Sequence, residues 1–331
     1  MVNINDNIIS PVILKRIAQI DWFSGAWTEG YQKKLTQDNL QTMKDAAKIE
    51  TIGSSNRLSG KGLSNKGVED VLNHVEKKTT LMLNEEGDVI GYDELLDIIY
   101  RDYQNIRLSE NYIKRFNQIL LKYATDDSTT AGEYQNPKAG KQLKELLDWA
   151  NRTLDEGYYH PIITIGVFIA NFWSISPFAS GNHRLSRVLT SLLMLKYNYT
   201  YIQYDSLETL LEENNFFYKR ILEETKWTID RNNQNYDKWM DFFTNILVQN
   251  KNHMKEMVRT QIDSNELKLS TTQRTILNVF TNGYSSLTMD WIVKHAKLNK
   301  DTVRKAVRTL VKKGYLVKNG STNRATYRKN V

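Results

Sequence analysis

Cysteine is absent from all 331 residues, which excludes a disulfide framework, a thiolate zinc site and a cysteine nucleophile. That absence agrees with a reducing compartment, the cytosol. No apolar run approaches the roughly 20 residues a bilayer span needs; the longest covers residues 162–173. The opening residues, MVNINDNIIS, lack a basic segment ahead of an apolar block, so neither a secretory signal nor a membrane anchor is expected. Proline occurs only four times, leaving long stretches free to be helical. What is present is 40% hydrophobic and 25% charged residues, enough apolar material for two folded units or one large one and too much for a disordered chain.

Charge is unevenly spread. The chain carries a net +7, but residues 263–331 hold nine Lys and five Arg against four acidic residues, a net +10, which leaves −3 for residues 1–262. A mildly acidic body followed by a basic tail places the capacity to meet a polyanion in the tail.

The body reads as mainly α. Tyr112, Ile113, Phe116, Ile119 and Leu120 recur at helical spacing, and so do Leu143, Leu146, Leu147 and Ala150. Between them, DDSTTAGEYQNPKAG is polar and turn-prone and reads as an exposed loop. A boundary is expected near residues 255–270, where polar DSNELKLS follows a helical segment. The expected organisation is an N-terminal helical region over 1–100, a core over 101–255 and a small α+β domain over 265–331. In that last domain Thr271–Thr281, Thr288–Ala296 and Lys300–Lys313 read as three helices, followed by two β-prone runs about a glycine turn. Three helices and a β-wing make a winged helix. Asp301 or Asn299 is the expected cap of its third helix, whose Val303, Val307, Leu310 and Val311 face a core while Arg304, Lys305, Arg308, Lys312 and Lys313 carry charge. Arg324, with Lys318, Arg328 and Lys329, makes the wing basic. The expectation is nucleic-acid binding through Arg304, Lys305, Arg308, Lys312 and Arg324. A winged helix used only for protein contacts is the alternative, because base-reading Asn and Gln are scarce on that helix.

The most informative stretch is IITIGVFIANFWSISPFASGNHRLSRVLTSLLML. Ile162, Ile165, Ile169 and Phe172 share one helical face and almost everything around them is apolar, so this helix is expected to be fully buried. A second apolar helix begins near Arg184. The polar, glycine-containing turn between them ends at a helix N-terminus, whose backbone N–H groups need partners and favour anions. Arg184 and Arg187, three apart in the first turn, are misplaced against the helix dipole unless something negative faces them. A polyphosphate is one such group; carboxylates elsewhere in the chain are the other.

At these residues the sequence resembles the Fic (Fido) family. SPFASGNHRLSR is similar to the motif His-x-Phe-x-(Asp/Glu)-Gly-Asn-Gly-Arg-x-x-Arg, and KIETIGSSNRLSGKGLSNKGVEDVL resembles the segment carrying the family's inhibitory helix. The stretch YNYTYIQYDSLE and the winged-helix tail are similar to members of the family as well. The resemblance implies a Fic-type helical bundle. Family enzymes transfer AMP from ATP and Mg²⁺ onto a hydroxyl of a target protein. It also implies nucleotide binding by Gly181, Asn182, His183, Arg184 and Arg187, with Phe178 packed beneath the loop, and a hairpin flap over residues 126–139 that docks the target chain.

Several positions depart from the pattern. Ser176 stands where the family has its catalytic His, and a hydroxyl lacks the basicity to take a proton near neutral pH. Ser180 replaces the acidic metal ligand, and a neutral hydroxyl holds a hard dication poorly. His183 replaces a glycine; it reads either as a relocated base or as an imidazole without chemistry. In the inhibitory segment Ser55 and Gly60 match, but Ser59 replaces the Glu that pairs with the second arginine, so Arg187 is expected to lack a partner on that helix. Arg57 has no assigned role. Asn136-Pro137 weakens the flap as a pairing edge. The expected function is therefore a Fic-fold protein with an eroded motif that binds a nucleotide polyphosphate and acts as a regulatory or interaction protein through its winged helix. The alternative is a protein adenylyltransferase, or a related phosphate-group transferase, using altered chemistry.

Overall fold

The computed structural model describes residues 2, 4, 9–76, 84–124, 128–267, 269–280, 287–320 and 325–329. It is mainly α. The helices are α1 (Pro11–Ala26), α2 (Gln37–Leu58), α3 (Asn65–Glu76), α4 (Asn84–Asp102), α5 (Glu110–Leu121), α6 (Pro137–Glu156), α7 (Pro161–Ile175), α8 (Asn182–Lys196), α9 (Leu207–Glu213), α10 (Asn215–Asp230), α11 (Asp237–Leu267), α12 (Thr271–Val279), α13 (Met289–Ala296) and α14 (Lys300–Lys312). The described residues also include three short strands, β1 (Leu287–Thr288), β2 (Leu316–Asn319) and β3 (Thr326–Lys329), and a few short helical turns. No described helix is long and apolar enough to cross a membrane.

Two compact units divide the chain. Residues 1–24 and 43–253 form the first, and residues 25–42 with 254–331 form the second. The division does not follow chain order, since residues 25–42 group with the C-terminal part. Helix α11 itself continues to Leu267, so most of the polar stretch over residues 263–270 is helical.

The first unit is organised around α7, on which every residue from Ile162 to Phe172 is buried. Helices α6, α8 and α10 pack on α7, and α4 and α5 pack on each other and on α8. Local chemistry sets the helix starts. Asn136 caps α6 by accepting from the Ala139 N–H at 2.9 Å, with Pro137 in the first position, where a missing N–H costs nothing. The His160 ring does the same for α7, accepting at Nδ1 from Ile162 N–H, with Pro161 following, while Nε2 sits 3.0 Å from Asp21.

In the second unit, Ile276, Ile292, Val303, Val307, Leu310 and Leu316 lie in one buried cluster. The strands form an antiparallel sheet of order β1–β3–β2, with Leu316 opposite Lys329 and Leu287 opposite Tyr327. Ser270 and Gln273 form a reciprocal capping box on α12, and Asn299, not Asp301, caps α14 by accepting from the Asp301 N–H at 2.9 Å.

Candidate phosphate-binding site

The site is built where α7 stops and α8 starts. Ser176 ends α7 in the left-handed conformation, with φ 44°. Its hydroxyl donates to the Trp173 carbonyl at 2.7 Å, satisfying a helix-end acceptor. Thus the residue at the position of the family base turns its only functional group back into the helix.

The turn that follows is cross-braced. Phe178 is buried and stacks on Tyr134, with centroids 5.6 Å apart, and the same two residues form an isolated antiparallel bridge. Gln135 adds a backbone bond to Pro177 O at 3.0 Å and a side-chain bond to Ser176 O at 2.7 Å. The segment expected as an exposed loop is therefore docked on the motif at residues 134–135. There the half-buried Tyr134 ring packs against Phe178 and Gly140, while its neighbours 133 and 135–138 stay exposed. Pro137 does not interrupt this edge, because it belongs to α6.

Asn182 clamps the turn from the other side, accepting from Phe178 N–H at 3.0 Å and donating to Phe178 O at 2.8 Å. The third brace is Asn117, buried on α5, which donates to Ser180 O at 3.0 Å and accepts from Gly132 N–H at 2.7 Å. Gly181 lies at φ 77°, and a Cβ there would approach Asn117 Nδ2 to 3.1 Å and Leu121 Cδ2 to 3.3 Å, so glycine is required by both conformation and space. As N-cap of α8 it offers no side-chain bond to the first turn. The turn opens on a cleft of about 340 Å³ lined by Ser59, Lys61 and residues 179–184.

Neither motif arginine reaches out toward solvent. Arg184 and Arg187 are 5% and 4% exposed. Arg184 Nη1 lies 2.5 Å from Asp88, a fully buried carboxylate on α4 whose second oxygen takes Lys61. Arg187 donates from Nε and Nη2 to Ser55 Oγ at 3.1 and 2.9 Å, and from Nη2 to Ser55 O and Ser59 Oγ, both at 3.0 Å. The expectation that Arg187 would lack a partner on this helix is overturned: the Ser55 hydroxyl and carbonyl on α2, with the Ser59 hydroxyl just past its end, take the place of one carboxylate. Gly60, at φ 83°, ends the same helix with its N–H on Arg57 O at 3.0 Å. Arg57 also has a role, as a two-point fork on Glu212 at 2.6 and 2.9 Å.

Electrostatics around the cleft follow from burial. Glu208, fully buried on α9 and accepting from Tyr92 OH at 3.2 Å, is pushed up to about 7 by desolvation against the opposing pull of Arg187. His183 stacks on Trp173, with centroids 5.0 Å apart, and desolvation, then the Arg187 and Lys219 cations, hold its pKa below the usual imidazole value. That shift favours the neutral ring at the positive end of α8.

These residues do not fit magnesium. Among the described residues no carboxylate lines the cleft, Asp88 is taken by Arg184 and Lys61, and the Ser180 hydroxyl is buried without a hydrogen-bond partner. Among the described residues no group of three or more His, Asp or Glu could hold a metal ion.

The structure thus gathers Ser59, Ser180, Gly181, Asn182, His183 and Arg184 around one cleft and leaves Ser55, Ser176, Phe178 and Arg187 outside its lining. Reasoning from sequence missed Lys61, Asp88, Asn117 and Tyr134. Only Asn117 carried a signal, as a polar residue one turn beyond Ile113 on a buried stripe. In the second unit Arg304, Lys305, Arg308 and Lys312 are exposed along α14, and Arg304 lies 3.8 Å from Asp301. Arg324 lies outside the described residues.

Residues 107–194 match the Fic/DOC family model. No curated protein matches the chain. Among solved structures, a Fic family protein from Desulfovibrio desulfuricans G20 is 18% identical at a TM-score of 0.59, with 97% of this chain and 96% of that one covered. A Fic domain containing signaling protein from Bacteroides thetaiotaomicron VPI-5482 is 17% identical at 0.57, covering 75% and 98% of the two chains. Fic-1 (residues 134–508) from C. elegans is 17% identical at 0.61, covering 76% and 74%.

Proposed function

The chain carries a Fic/DOC-family domain over residues 107–194, and from that premise we propose that it is a phosphate-binding Fic-fold protein that transfers nothing, acting as a regulatory protein through a nucleic-acid-binding winged helix. One observation carries the reading: the Ser176 hydroxyl is bound to Trp173 O, so the position that would deprotonate an acceptor has neither a base nor a free group. General-base catalysis is worth roughly 10²- to 10⁴-fold, and it has no source at this position. A phosphoryl group would instead meet the first-turn amides of α8 and the Lys61 ammonium, donors that bind without activating.

The nucleic-acid part rests on α14. Val303, Ala306, Val307 and Leu310 are buried, and this leaves Arg304, Lys305, Arg308 and Lys312 together on the solvent side. A row of exposed cations on one helix suits a phosphate backbone.

Incubation with labelled ATP, Mg²⁺ or Mn²⁺ and a cell lysate tests the central claim. No labelling of the protein or of a target is expected. Robust labelling abolished by Arg184→Ala would establish a transferase and overturn the proposal. The triple variant Ser176→His, Ser180→Asp, His183→Gly should gain labelling if these positions alone silence the site.

A further inference from the structure

Asp88 is an unusual neighbour for a phosphate cleft. It is fully buried, it lies on α4 and not on the turn, and its two oxygens take Arg184 and Lys61, a guanidinium and an ammonium that both line the cleft. Two cations converge on one carboxylate at the mouth of a helix N-terminus, an arrangement of charge that equally suits a phosphoryl group.

We infer that Asp88 is the affinity-setting residue of the cleft, a resident anion that a phosphoryl or pyrophosphoryl ligand must displace from Arg184 and Lys61 in order to bind tightly. The inference rests on the phosphate-binding reading above and deepens it. The Ser55 hydroxyl on α2 and the Ser59 hydroxyl just past its end hold the other arginine, Arg187, so the two guanidinium groups are controlled from different helices. Displacement has a cost because Asp88 has no exposure to water and loses a charged partner. Removing its charge removes that competition for Arg184 and Lys61, and a bound pyrophosphate then supplies the negative charge the cleft has lost.

Titration calorimetry of the full chain and of Asp88→Asn, with magnesium-free pyrophosphate and in parallel with ATP, tests this. At least about tenfold tighter binding by Asp88→Asn is expected with both probes. Equal affinities would leave the cleft as a phosphate site and overturn the role of Asp88. No binding by either folded protein would overturn the phosphate reading and this inference together. A second measurement uses the unaltered protein: the side-chain Nε–H resonance of Arg184 should move as pyrophosphate is added, in step with the backbone amides of residues 182–184. Amides that move while Arg184 stays unchanged would show that Asp88 keeps its partner and would overturn the displacement.

Discussion

Asn182 grips the peptide of Phe178, four residues earlier, at both its ends: it accepts from the N–H at 3.0 Å and donates to the carbonyl at 2.8 Å. The turn between α7 and α8 therefore holds its shape through a side chain that resemblance alone would assign to ligand contact. Each such bond is worth about 1 kcal/mol net. Asn182→Ala should lose about 2 kcal/mol in urea unfolding and weaken pyrophosphate binding at the same time. Lost binding with unchanged stability would instead mean direct ligand contact.

Glu208 makes stability depend on pH. Its pKa rises from 4.5 in the unfolded chain to about 7 in the folded one, through burial. Between those values the folded state binds the extra proton, so its stability falls as pH rises from about 4.5 to 7 and is lowest above that. The full penalty is on the order of 3 kcal/mol. Glu208→Gln, which mimics the protonated acid, should match the parent protein at low pH and exceed it at pH 8; unfolding free energies at the two pH values check this. Asp205, raised by burial to about 6, adds a slope of the same sign to both proteins and cancels in the comparison.

Arg57 holds Glu212 in a two-point fork and also donates to Leu63 O at 2.9 Å and Asn65 Oδ1 at 3.1 Å. An ammonium cannot reproduce that planar geometry. Arg57→Lys should therefore cost nearly as much as Arg57→Ala, about 1.5–3 kcal/mol by denaturant titration. Full retention of stability in the lysine variant would show that charge alone suffices.

Helices α4 and α5 touch through backbone at Gly91, where a Cβ would come within 2.5 Å of Leu120 O and 2.9 Å of Ile119 O. Main-chain atoms cannot move aside as a side chain can. Gly91→Ala should destabilise by about 1–3 kcal/mol despite alanine's better helix propensity, as thermal melts would reveal.

For the basic helix, the expected outcome is duplex DNA binding that weakens with salt. Arg304→Ala combined with Arg308→Ala should lower the slope of log K against log salt by roughly 0.9 per phosphate contact removed, measured by fluorescence anisotropy. No binding at low salt would remove nucleic acid as the partner.

The mainly helical architecture was legible before any coordinates, and so was the buried character of α7, because an all-apolar 3.6-residue repeat has one physical outcome. Residue type narrowed the cap of α14 to Asp301 or Asn299, of which Asn299 is the one used. The extent of α11 was not legible, since polar DSNELKLS is compatible with a loop or a solvated helix and only its surroundings select between them. The packing of Tyr134 was hidden by its polar neighbours, because its ring stacks on Phe178, 44 positions away in the chain.

The sequence by itself determined that a glycine-containing turn joins two apolar helices and that serines stand at residues 176 and 180, where the resembled motif has its base and its metal ligand. Only the tertiary structure decided what the two arginines do. Arg184 meets Asp88 across 96 positions and Arg187 meets Ser55 across 132. A guanidinium buried in a packed interior takes whichever acceptor the fold brings to it, because leaving it unpaired there costs far more than any local preference can offset.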